Sequence, residues 1–204
     1  MQTFLPYPDF ERSARALDLR RLGKQRVETL QVVRALTRPG YGWRHHPAVL
    51  MWQGFEEALG RYGLICCEVW TEGGRPDTCA ASIVADLGAA GIAEVRTEPE
   101  LVAAGALPPW WGDEALHRSH RSALVRKEPD HYRALFPDVP GDLPYVWPVR
   151  SAAAVEAEER RAANQVRRSE RAAARRVLEA ERQHRRRSRA AKKAWETRRR
   201  NASS

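Results

Sequence analysis

The 204 residues, 43% of them hydrophobic, suffice for one domain of average size with a real core, plus an appendage. The net charge of +9 is unevenly placed: residues 151–204 hold 17 Lys and Arg against 7 acidic groups, and residues 1–150 hold 18 against 19. No run approaches 18 apolar residues, which excludes a membrane-spanning helix. The opening MQTFLPYPDF lacks the basic-then-apolar order of a signal peptide, so a cytoplasmic protein is expected.

Residues 1–8 read as extended, because Pro6 and Pro8 disfavour helix at the residues before them. Asp9 is an expected N-cap. From there the pattern is helical to about Leu36, as one helix or as two divided near Gly23, and it stops at Arg38-Pro39-Gly40. Within Leu17–Val33, at about 100° per residue, Leu22, Leu30, Val33 and Leu36 share one arc, whereas Arg21, Lys24 and Glu28 share another. That spacing fits an ordinary surface Lys–Glu pair, and it fits equally a functional carboxylate set in a phosphate-binding face. From Arg12 to His46 nine Lys and Arg stand against Asp18 and Glu28, a local excess of +7 that suits a surface meeting a polyanion.

The loop RPGYGWRHHP (38–47) interleaves glycine, aromatics and cations. Tyr41 and Trp43 offer stacking faces and Arg44, His45 and His46 offer donors, as a loop touching nucleic acid would; the same loop could instead tuck Trp43 into the core. No metal is expected at His45 and His46, which are adjacent and lack a carboxylate at ligand spacing. A second helix is predicted after Pro47, reaching towards Trp70 with a break near Gly63, then a small-residue helix over 79–92 and a short one within 93–106. Cys66, Cys67 and Cys79 show no zinc spacing and read as buried small hydrophobes in a reducing compartment. Asp113 caps a helix to Lys127 that carries His117, His120 and Arg121 on one side, and Pro129 opens a further short helix. A proline-rich strap with Tyr145 and Trp147 closes the domain near Arg150 and caps the core.

The fold class expected is therefore mainly α: one compact helical domain with proline-rich loops over 1–150, and a basic Ala/Glu/Arg-rich tail over 151–204, either a long helix or disordered. The tail's i,i+4 Glu–Arg pairs favour helix, and its charge suits non-specific nucleic-acid affinity, an acidic protein partner or solubility alone.

Three blocks in order, Leu22-Gly-Lys-Gln-Arg-Val-Glu28, Gly40-Tyr-Gly-Trp-Arg-His-His-Pro47 with Met51-Trp52, and His117 to Tyr132, resemble the pyrimidine-dimer DNA glycosylase family. The resemblance implies a helical domain that binds damaged double-stranded DNA, without metal or small-molecule cofactor, and an N-terminal amine that attacks the sugar C1′, forming a Schiff base before base release and strand cleavage. An α-amine, with a pKa of about 8, is partly neutral near pH 7, unlike a lysine at about 10.4. The resemblance makes Glu28 the catalytic carboxylate and Met1 or Gln2 the bearer of the amine, with Met1 favoured because initiator removal normally needs a small second residue. It makes Arg20, Arg21, Lys24, Arg26, His117, His120, Arg121 and Lys127 contacts to phosphate or sugar, beside the loop residues Tyr41 to His46. The alternative is a non-catalytic nucleic-acid-binding protein that keeps the fold without lyase activity.

Overall fold

Two aspartates divide the first helical stretch. Asp9 accepts from the Arg12 amide at 2.6 Å and starts α1 (Phe10–Arg15); Asp18 accepts from the Arg21 amide at 3.1 Å and starts α2 (Leu19–Thr37). The division expected near Gly23 falls at Asp18 instead. Gly23 lies inside α2 because the Trp70 ring covers it, 3.0 Å from where a Cβ would stand. The computed structural model describes residues 1–148 together with Arg167 and Arg175.

After α2 come α3 (Pro47–Leu50), α4 (Glu56–Glu72), α5 (Cys79–Ala89), α6 (Glu98–Ala103), α7 (Glu114–Lys127) and α8 (Pro129–Leu135). Among the described residues there is no strand, and the domain is mainly α as expected. The helix predicted after Pro47 is broken earlier than Gly63: α3 ends at Leu50, and Gly54, with φ +83°, turns the chain into α4. Gly63 is instead a packing residue, whose missing Cβ admits Thr29 of α2 and Ile83 of α5. α2 packs on α4 and α5, α1 on α4, and α8 on α7. Around them lies one core that includes Phe10, Trp52, Leu59, Tyr62, Ile83, Leu116 and Leu124.

Cys66, Cys67 and Cys79 are free and buried, and burial raises the thiol of Cys66 to about 12, so it packs as an inert hydrophobe. No described helix is long and apolar enough to cross a membrane. The expected tail helix lies outside the described residues.

Candidate active site at the N-terminal segment

Residues 2–6 are buried and extended, and side chains rather than a neighbouring strand satisfy their backbone. The amide of Gln2 donates to Glu28 Oε2 at 3.2 Å, and its carbonyl accepts from Gln25 Nε2 at 3.1 Å. Gln25 turns its other end to the Phe4 amide, 2.9 Å from Oε1, and the Phe4 carbonyl accepts from the Tyr62 hydroxyl. Trp52 Nε1 donates to the Thr3 hydroxyl at 2.8 Å. His120 Nδ1 accepts from the Leu5 amide at 3.0 Å, His117 Nδ1 donates to the Leu5 carbonyl at 2.8 Å, and Arg121 donates to the Pro6 carbonyl at 3.0 Å. The start of the chain is thus pinned by α2, α4, α7 and Trp52, and what it presents is fixed in space.

What it presents faces a pocket of about 640 Å³ lined by Met1, Gln2, Phe4, Arg20, Arg21, Lys24, Gln25, Glu28, His46, Lys127, Tyr145 and Trp147. α2 supplies the floor carboxylate and most of the cations, since residues 20, 21, 24 and 28 recur at helical spacing along its pocket-facing side. Arg20, Lys24 and Lys127 are exposed and have no ion-pair partner among the described residues. Arg21 is different: it pairs with Asp18 at 2.6 Å and lies 3.5 Å from Glu128, so much of its charge is already met. His46 caps α3, its Nδ1 accepting from the Ala48 amide at 3.1 Å. Burial holds the His46 ring below the usual imidazole range, the chain's terminal ammonium pushes the same way, and Glu28 opposes both. Amine, carboxylate and imidazole therefore share one small volume.

Four of the expected DNA contacts lie enclosed or are already paired within the fold. His117 and His120 are fully enclosed, with no surface to offer a phosphate, and burial lowers His120 to about 3, leaving a neutral ring that serves as a backbone anchor. Arg121 is committed to Pro6 and to Glu114. Arg26 points away from the pocket, pairs with the buried Asp77 and lies 4.0 Å over the Trp70 ring. In the loop, Trp43, Arg44 and His45 are exposed and Tyr41 is half-buried, so Trp43 is not tucked into the core. Trp43 holds φ +71°, a left-handed conformation that is strained for a residue with a side chain.

Residue reasoning missed Gln25, Tyr62 and Trp52 as clamps on the N-terminal segment. Gln25 had a legible signal: a polar residue on the buried side of α2, between Leu22 and Thr29, needs an internal partner. Tyr145 and Trp147, expected as caps on the core, also line the pocket.

Against known proteins, the family model described as pyrimidine dimer DNA glycosylase matches residues 1–82, the stretch that contains the pinned segment, α2 and the loop before α3. No curated protein and no solved structure shows significant similarity. Residues 1–82 are thus similar to the pyrimidine dimer DNA glycosylase family.

Proposed function

We propose that the protein breaks the glycosidic bond of damaged pyrimidines in double-stranded DNA and then cuts the strand through an imine on its N-terminal amine. The observation that carries this reading is the Gln2 nitrogen 3.2 Å from Glu28 Oε2, in a pocket bordered by Arg20, Lys24 and Lys127. A carboxylate beside the chain terminus is what an amine nucleophile needs: a group to take its proton and to stabilise the cation that follows. The similarity of residues 1–82 to the pyrimidine dimer DNA glycosylase family supports the substrate class.

The amine nitrogen attacks C1′, a C1′–N bond forms, and the glycosidic bond breaks; the base departs from C1′ with the electron pair, gains a proton from solvent and, in a dimer, stays joined to its neighbour. Glu28 takes a proton from the new ammonium and returns it to O4′ as the sugar opens, leaving a protonated imine. Loss of a C2′ proton then expels the 3′ phosphate, and water frees the enzyme. Arg20, Lys24 and Lys127 hold the flanking phosphates. Met1 and Gln2 both border the pocket, so either residue brings the amine within one residue of Glu28, and intact mass identifies which one carries it. The basic residues 151–204 add non-specific affinity; deleting them flattens the salt dependence of binding and spares cleavage.

The test is borohydride trapping on duplexes carrying a pyrimidine dimer or an abasic site. The expected result is a covalent adduct that Glu28→Gln and N-terminal acetylation both abolish. DNA binding with no adduct would establish a non-catalytic binding protein instead.

A further inference from the structure

Pro47 keeps the residue before it out of the helical region, so position 46 becomes the N-cap of α3, extended at φ −72° and ψ 135°. The residues that usually cap are short: Ser, Thr, Asp or Asn. Here the cap is an imidazole, and accepting from the Ala48 amide uses only its Nδ1. The rest of the ring is left over, and it is held in place. The His46 amide donates to the Trp43 carbonyl at 2.8 Å, and the ring meets Trp43 at 5.8 Å and 71° and Trp147 at 6.3 Å and 89°. The ring is half-buried and lines the same pocket as Met1, Gln2 and Glu28.

A neutral imidazole whose Nδ1 accepts carries its one hydrogen on Nε2. Burial, reinforced by the terminal ammonium and opposed by Glu28, keeps the ring in this neutral form at pH 7. Nε2 has no hydrogen-bond partner among the described residues, and it is not one of the enclosed atoms. With both nitrogens in use, the ring has no free lone pair to take the amine's proton, which leaves that task to Glu28. What His46 has to give is an N–H.

The reaction has a use for it. Breaking the C1′–N1 bond leaves an electron pair on N1. In an ordinary pyrimidine that pair spreads to O2 and, through the C5–C6 double bond, to O4. A cyclobutane dimer has lost this double bond, so O2 is the only carbonyl oxygen still conjugated with N1. O2 lies on the minor-groove side of the base, next to C1′, and is reached there with the two joined bases still in the helix. We propose that His46 donates its Nε2 hydrogen to O2 of the departing pyrimidine and so stabilises the charge that builds there as the glycosidic bond breaks. The hydrogen stays on the imidazole, the electron pair moves to N1 and O2, and solvent supplies the proton that the base finally gains. This inference rests on the glycosylase reading of the pocket and adds to the amine and Glu28 a residue that acts on the leaving group.

An abasic site has the same sugar and no leaving base, so comparing two substrates isolates the donor. Full-length protein and its His46→Ser and His46→Ala variants are assayed under single-turnover conditions on one duplex carrying either a cyclobutane pyrimidine dimer or an abasic site. Serine can cap α3 without reaching the pocket, whereas alanine can do neither. The ratio of dimer to abasic cleavage rates is expected to fall about a hundredfold in both variants, in line with the loss of one oxyanion donor. His46→Ser is expected to melt with the wild type and His46→Ala below it. A ratio unchanged from wild type in both variants, or one lost in His46→Ala and restored in His46→Ser, reduces His46 to a cap and overturns the proposal while the glycosylase reading stands. A wild-type protein that forms no borohydride-trapped adduct with either duplex overturns the glycosylase reading itself, and the donor with it.

Discussion

At the scale of single residues, Lys24 and Arg26 look alike in sequence and differ completely in place. Arg26 is paired with an aspartate that is only 4% exposed, whereas Lys24 stands in solvent at the pocket. Arg26→Met leaves the Asp77 carboxylate without its cation, held only by neutral donors such as the Ala80 amide, and is expected to cost about 3 kcal/mol in urea denaturation, with the salt dependence of DNA binding unchanged. Lys24→Ala is expected to leave stability within about 0.5 kcal/mol and to lower the slope of log affinity against log salt by about one. The reverse assignment of these two effects would contradict the geometry. The family resemblance makes both cations DNA contacts, whereas Arg26 turns inward because Trp70 and Asp77 receive it. That information sits some forty residues away, where local pattern does not carry it.

At the scale of elements, the pinned N-terminal segment and the packing of α2, α4 and α5 share one dependence: α2 must sit where Gln25 reaches residues 2–4. Gln25→Ala leaves the Phe4 amide and the Gln2 carbonyl buried without partners. It is expected to destabilise by about 1–3 kcal/mol, and to depress adduct formation more than it depresses DNA binding, because the cations of α2 remain. Comparing trapping with binding in the same variant checks this; an equal loss of both would mean that the segment merely supports the fold. Gly63→Ala tests the helix packing, since the new Cβ would stand 2.7 Å from Thr29 Cγ2 and 2.8 Å from Ile83 Cδ1. It is expected to cost about 1–3 kcal/mol in a thermal or urea melt.

Several of these elements were legible beforehand because their signals are local. Asp113 at the start of α7, Pro129 at the first turn of α8 and the stop after Thr37 each follow from caps and prolines. Gly23 and Gly63 misled for a physical reason. A glycine inside a helix reads as a break, yet here a partner helix or ring occupies the space of the missing side chain. His117 and His120 misled in the same way: their shared face was read correctly, but the N-terminal segment covers it, and solvent does not reach it.

At the scale of the whole molecule, the buried imidazoles set how the fold responds to acid. His120 is lowered to about 3 by burial, and His117 and His46 are lowered by the same cause. A depressed folded-state value means that the unfolded chain binds more protons below its own value of about 6.5, so stability is present above that pH and is lost as pH falls towards 3. Glu98, raised to about 6 by burial, works in the opposite direction between its unfolded value of about 4.5 and pH 6. Three histidines against one carboxylate leave a net loss, so urea midpoints are expected to fall between pH 7 and pH 5. A midpoint that holds or rises over that interval would contradict the neutral, enclosed state of His120.

The account depends most on where the covalent bond to DNA forms. Borohydride-trapped adduct on an abasic duplex, digested with trypsin and mapped by mass spectrometry, reads that directly. The account predicts the reduced sugar on the α-amine of the N-terminal peptide ending at Arg12, and its loss in Glu28→Gln. An adduct on Lys24 or Lys127, or one that survives Glu28→Gln at wild-type yield, would contradict it.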